Sequence, residues 1–230
     1  MYLCGLGANI ARLQSVSRYM PFRYRRFPLA QVVAELHRIG VSVLPLLSEP
    51  FRQELLKETQ ACAFRQTRAT VGKGANRVRQ RMAVCADLRP DSLYRYLSAC
   101  FQELFDAAVK PSQRELFDGR VTFNDHMLQR YTVGKLGISP HRDRTAYRHV
   151  ICLFVIAGHG RFYVCDDRSG AGAREIANAP GDMIIMRAPG FQASKERPFH
   201  YLADIQSTRY VFGLRHDQTK LANKEQPLGV

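Results

Sequence analysis

The tripeptide His141-Arg142-Asp143 is the first place where this chain could hold a metal ion. On an extended segment residues i and i+2 share a face, so the His141 imidazole and the Asp143 carboxylate would meet one ion side by side. Pro140 precedes them, which suits a strand end better than a strand centre. A pattern this short often arises by chance. A third donor is offered by His200, bracketed by Pro198, Phe199 and Tyr201. Two histidines and one carboxylate on one side of a metal leave the opposite positions open, an arrangement suited to iron(II); zinc and manganese accept the same donors. The other histidines, His37, His126, His149, His159 and His216, read as ordinary core or surface residues.

Arg209 follows on the next expected strand. A planar, permanently charged guanidinium is what a buried dicarboxylate needs as a partner. Arg215 stands at even spacing from it, so a continuing strand would put both on one face. Each also reads as an exterior salt-bridging residue.

Taken in order, these residues resemble the core of the Fe(II)/2-oxoglutarate dioxygenase superfamily over residues 127–217, with features of its AlkB branch. The matching stretches are QRYTVGKLGISPHRD, APGDMIIM, RPFHYL and RYVFGLR. Each piece is weak, but the succession of His-x-Asp, a Gly181-Asp182 turn into a hydrophobic strand, a distal His and then an Arg is specific as a set. The resemblance implies His141, Asp143 and His200 as iron ligands, Arg209 as partner of the distal carboxylate of 2-oxoglutarate, and Tyr131 as a further cosubstrate contact. It implies Arg215 near the metal-bound carboxylate. It also implies an enzyme that uses iron(II), 2-oxoglutarate and O2 to hydroxylate or oxidatively demethylate an organic substrate, releasing succinate and CO2. Gln129 stands where the AlkB pattern has Asn, and the first 120 residues show no AlkB-type nucleotide-recognition lid. The expected substrate is a small or amino-acid-like molecule. An AlkB-like nucleic-acid demethylase and a non-redox metal cupin are the alternatives. Arg144, Tyr147 and Arg148, just past the metal motif, are candidates for lining the substrate pocket.

The elements that must position these residues are legible to different degrees. Leu29, Val32, Val33 and Leu36 follow helical spacing, with Gly40 as the stop, and Val41–Leu47 reads as a short strand. Ser48 and Pro50 open a helix with Phe51, Leu55 and Leu56 on its apolar face. Residues 67–80 are polar, basic and glycine-bearing, a loop or lid. Asp91 can cap a longer helix whose stripe is Leu93, Leu97, Cys100, Leu104 and Ala108. After Gly119 come short β-rich runs: Val121–Phe123, Met127–Val133, Tyr147–Ile156, Arg161–Val164, Arg174–Ile176, Asp182–Met186, Pro198–Leu202 and Thr208–Leu214. So many short strands broken by glycine and proline predict a two-sheet jelly roll. The expected fold is α+β: one domain, with a mostly helical part (1–118) packed on a double-stranded β-helix (119–217) and a tail (218–230).

At 230 residues the chain is long enough for one full core, and its longest apolar run, Val150–Ala157, is of strand length. Six dispersed cysteines without a Cys-x-x-Cys pair predict free thiols in a reducing, cytoplasmic setting. The net charge of +14 is concentrated locally. Residues 1–34 and 59–86 contain no acid, and Arg65–Arg81 could grip a nucleic acid or form a solvated face. The acid-free start also has some character of an organelle transit peptide.

Overall fold

The structure, a computed structural model, describes residues 20–222. Cys4 and most of the acid-free start lie outside the described residues.

Two helices flank the first strand. Helix α1 (Leu29–Ile39) buries Val32 and Leu36 and stops at Gly40, whose φ of 78° is the left-handed conformation that closes a helix end. Strand β1 (Val41–Leu44) follows, and helix α2 (Glu49–Thr59) starts from Ser48 with Pro50 in its first turn. Helix α3 (Leu93–Val109) is capped by Ser92, whose Oγ accepts from the Tyr94 N–H at 3.1 Å. Asp91, expected as the cap, instead pairs with Arg89 at 2.7 Å. The buried face of α3 carries Leu93, Leu97, Phe101, Phe105 and Val109. It is rotated from the expected stripe because the two phenylalanines have more apolar surface to bury than Cys100, Leu104 and Ala108, which are only partly covered. A short helix α4 (Gln113–Leu116) follows.

Thirteen strands are present among the described residues. Besides β1 they are β2 (Arg65–Gln66), β3 (Thr70–Val71), β4 (Val78–Arg79), β5 (Met82–Cys85), β6 (Asp125–Tyr131), β7 (Gly134–His141), β8 (Tyr147–Ala157), β9 (Arg161–Cys165), β10 (Arg174–Ile176), β11 (Met183–Arg187), β12 (Phe199–Ile205) and β13 (Arg209–Asp217). Helix α5 (Gln218–Ala222) ends the described chain. A seven-stranded sheet runs β1-β11-β8-β13-β6-β5-β2 and faces a four-stranded sheet β10-β9-β12-β7. Strands β6 to β13 thus form the two-sheet wrap of a double-stranded β-helix, the expected fold.

Strand β8 shows why the larger sheet sits in the middle. Ile151 and Val155 point between the sheets with Ile184, Met186 and Val211. Val150, Cys152, Phe154 and Ile156 point the other way, under Phe51, Leu97 and Phe101 of the helices. A strand buried on both faces must be apolar throughout, which is how β8 reads.

Two expectations are corrected. Val121–Phe123 is not a strand: the Thr122 N–H donates to His216 Nδ1 at 3.1 Å and the Phe123 N–H to Gln102 Oε1 at 2.9 Å, so side chains replace a ladder partner. Residues 67–80 are not an open loop but the β3–β4 hairpin, closed by Thr70 opposite Arg79 and Val71 opposite Val78. Alongside helices α1 to α4, the described residues up to 118 hold the short strands β1 to β5. The described cysteines, Cys62, Cys85, Cys100, Cys152 and Cys165, are free thiols. Among the described residues no helix is long and apolar enough to cross a membrane.

Candidate active site

His141 ends β7 and His200 lies near the start of β12, and the two are direct cross-strand partners. Asp143 lies just past the end of β7. The fold therefore gathers three donors on the inner side of one sheet edge. Their candidate ligand atoms all lie within 4.8 Å of one another, with His200 Nε2 3.5 Å from Asp143 Oδ2 and the two imidazole centroids 4.3 Å apart.

The tautomers follow from the backbone. His141 Nδ1 lies 2.9 Å from the Ser139 carbonyl and His200 Nδ1 3.2 Å from the Pro198 carbonyl. A carbonyl only accepts, so each Nδ1 carries the hydrogen and each Nε2 keeps its lone pair for a metal. Burial, and then the neighbouring His200, push His141 down to about 4, so this ring is neutral at physiological pH, as a ligand must be. Burial alone would raise the Asp143 carboxyl. His200, His141, Arg215 and Arg197 outweigh it and hold the group below its ordinary value, ionised. The donor set is complete for a divalent ion and leaves one side open.

The space beyond the triad is walled by Ile138, Leu153, Phe162, Ile184, Leu202 and Val211. At its far side stands Arg209, 1% exposed, cross-strand partner of Tyr131. Its Nη2 donates to Asn178 Oδ1 at 2.5 Å, and its Nε has no partner. Burial pushes this guanidinium down to about 10, against the pull of Tyr131 and Asp182, so it stays charged at neutral pH, with no carboxylate bonded to it among the described residues. A buried, half-bonded cation is costly unless an anion completes it. Burial also pushes the Tyr131 phenol up to about 12, so it is a neutral hydroxyl able to donate. A dicarboxylate with one end on the metal and the other on Arg209 fits this donor set.

Arg215 lines the same space, its Nη1 3.6 Å from Asp125 Oδ2, with Nε unpartnered. Gln129 lies there too, its amide 3.8 Å from Met82 Sδ. The candidates Arg144, Tyr147 and Arg148 do not line it. Arg144 lies 3.7 Å from Asp217, Arg148 is bonded to Asp118, and Tyr147 is buried with the Arg144 and Arg215 guanidiniums over its ring. Sequence reasoning missed three contributors. Asn178 orients Arg209, Phe162 packs 5.7 Å under the His200 ring, and Arg197 donates to the Asp143 backbone carbonyl. None carries a local signal; only the folded sheet brings them to the site.

The basic hairpin β3–β4 is docked beside β7. The Arg79 N–H donates to Ser139 Oγ at 2.9 Å, the Arg81 N–H to the Gly137 carbonyl at 2.8 Å, and Gln80 bridges to Ile138.

No family model and no curated protein matches the sequence. Solved structures do share the fold. One is a prolyl hydroxylase in complex with a hypoxia inducible factor oxygen degradation domain peptide fragment, from Trichoplax adhaerens, at TM-score 0.58 and 17% identity, covering 94% of this chain and 96% of that one. A prolyl-4-hydroxylase from Pseudomonas putida matches at TM-score 0.57 and 14% identity, over 81% of this chain and 98% of its own. An oxidoreductase of the 2OG-Fe(II) oxygenase family from Burkholderia pseudomallei matches at TM-score 0.56 and 13% identity, over 86% and 95%. At these identities what is shared is the fold, the double-stranded β-helix of 2-oxoglutarate oxygenases.

Proposed function

We propose that this chain, folded as the 2-oxoglutarate oxygenases are, is itself an iron(II)- and 2-oxoglutarate-dependent oxygenase. One observation carries the reading: a facial His141–Asp143–His200 triad shares an apolar cavity with Arg209, a buried cation whose Nε lacks a partner. When bound, iron(II) and 2-oxoglutarate would supply oxidation of a substrate C–H bond by O2, coupled to decarboxylation of 2-oxoglutarate to succinate and CO2. The chain's own residues do the rest. The Ser139 and Pro198 carbonyls fix both imidazoles with Nε2 inward. Asn178 holds Arg209, and Arg209 with Tyr131 receives the distal carboxylate. The apolar walls keep water away from the reacting atoms.

The substrate we assign is a small organic or amino-acid-like molecule. A cleft of about 640 Å³ adjoins the metal edge at Arg142 and Phe199, a size in the range of small-molecule sites. A nucleic-acid substrate is the second reading, favoured by the docking of the basic β3–β4 hairpin on β7.

The test is anaerobic. Iron(II) and then 2-oxoglutarate are added to the purified apoprotein, and the weak visible metal-to-ligand charge-transfer band is recorded. We expect a band in the wild type, its loss in His141→Ala, and a need for at least ~10-fold more 2-oxoglutarate in Arg209→Ala. No band, with tight zinc binding instead, would sink the oxygenase and leave a non-redox metal cupin.

A further inference from the structure

Phe199 and His200 are neighbours on β12 and point to opposite faces. His200 faces the metal, and Phe199 lies on the outer side of the same sheet edge, where it collects positive charge. The Arg142 guanidinium, from between the two β7-side ligands, lies 4.1 Å from the Phe199 ring centroid. Arg168, from the segment after β9, lies 5.8 Å from the same centroid. Arg197, two residues before Phe199, lines the same cleft as Arg142 and Phe199.

Little neutralises this group. Among the described residues Arg142 makes no ion pair. Arg168 donates to Asn76 Oδ1 at 3.1 Å through Nη2, while its Nη1 is buried without a partner. Arg197 donates to the Asp143 backbone carbonyl and is partly offset by the Asp143 carboxylate, which leaves Arg142 and Arg168 as the less neutralised members. The cleft beside them adds Arg174 and Lys195, and of its two acids Glu196 is already bound to Arg187 at 2.5 Å. Like charges crowded on one aromatic ring repel each other unless an anion lies among them. Two guanidiniums at one aromatic ring, with a third lining the adjoining cleft, match the several oxygens and double charge of a phosphate better than a single carboxylate.

We propose that Arg142, Arg168 and Arg197 hold a phosphate group of the substrate beside Phe199, leaving the rest of the substrate to reach over the ends of β7 and β12 to the metal. This rests on the oxygenase reading for its purpose, but the anion site itself does not. The phosphate comes either from a small phosphate monoester or from a nucleic-acid backbone.

The test measures binding to the full chain by calorimetry at low salt, with phenyl phosphate and with a single-stranded oligothymidylate as separate probes. The variants are Arg142→Gln, Arg168→Gln and their combination, with Arg120→Gln, an exposed residue paired to Asp106 on α3, as control. We expect the double variant to lose at least ~10-fold in affinity and Arg120→Gln to lose little. A loss seen with phenyl phosphate identifies a small ester; a loss confined to the oligothymidylate identifies a backbone phosphate. Both outcomes uphold the subsite. If neither probe binds the wild type, or both bind the double variant as tightly as the wild type, the subsite does not exist. The charge-transfer band is recorded on the same samples. A band kept in the double variant shows an intact metal edge, and a band missing from the wild type counts against the oxygenase reading without touching the phosphate site.

Discussion

His149 holds its backbone in the left-handed region, at φ 69°, with its side chain buried against His216, their ring centroids 4.8 Å apart. Burial first, then His216, push it down to about 4, against Asp118 at 3.4 Å; Arg148 adds to the push. Its pKa in the folded chain thus lies below the ordinary value of 6.5. Between those two values the unfolded chain binds more protons than the folded one. Stability is therefore full above pH 6.5 and lost as the pH falls towards 4, by on the order of 1–3 kcal/mol from this residue. Urea unfolding between pH 4 and 7 should show a falling midpoint on the acid side, and His149→Gln should make that limb shallower. An unchanged limb would mean that other groups set the acid sensitivity. The same scale explains what the sequence showed of the site. His141 and Asp143 could be read from their i, i+2 spacing, and His200 and Arg209 from the ordered succession that resembles the dioxygenase pattern. Asn178 and Arg197 could not, because their roles exist only through partners on distant segments.

Strand β7 is where element-level reading fell short. Its sequence, GKLGISPH, has two glycines, a proline and a lysine, and no local preference marks it as a strand. Its conformation is imposed by β12 on one side and by the hairpin residues Arg79–Arg81 on the other. Strands β8 and β11 needed no such help, since burial on both faces leaves apolar runs in the chain. Gly137 is the close-approach point of β7: a Cβ there would meet the Leu202 carbonyl oxygen of β12 at 2.8 Å. Gly137→Ala should push β7 away from β12 and spread His141 from His200. We expect weaker metal binding, by ~10-fold or more, together with a lower Tm. Metal titration of the variant checks this. Wild-type affinity in a destabilised protein would show that the sheet gives way elsewhere.

At the scale of the molecule, several cations of the described residues lie near strands β7 and β12. The β3–β4 hairpin of the acid-free segment Arg65–Arg81 is docked on β7, and Arg142 and Arg168 lie by the Phe199 ring of β12, with Arg197 lining the cleft beside it. Oligothymidylate affinity should therefore fall ~10-fold or more between 50 and 200 mM salt if several of these cations meet phosphates together. A flat salt response would leave the hairpin as a solvated face. The direct pairing of His141 with His200 has a further consequence, for how the fold is assembled. Strand faces alternate, so a slip of β12 by one residue would offer Phe199 or Tyr201 where His200 belongs. An ion that needs both imidazoles binds only the correctly aligned sheet. Metal uptake during refolding would then act as proofreading, draining misaligned chains into the one register that can hold the ion.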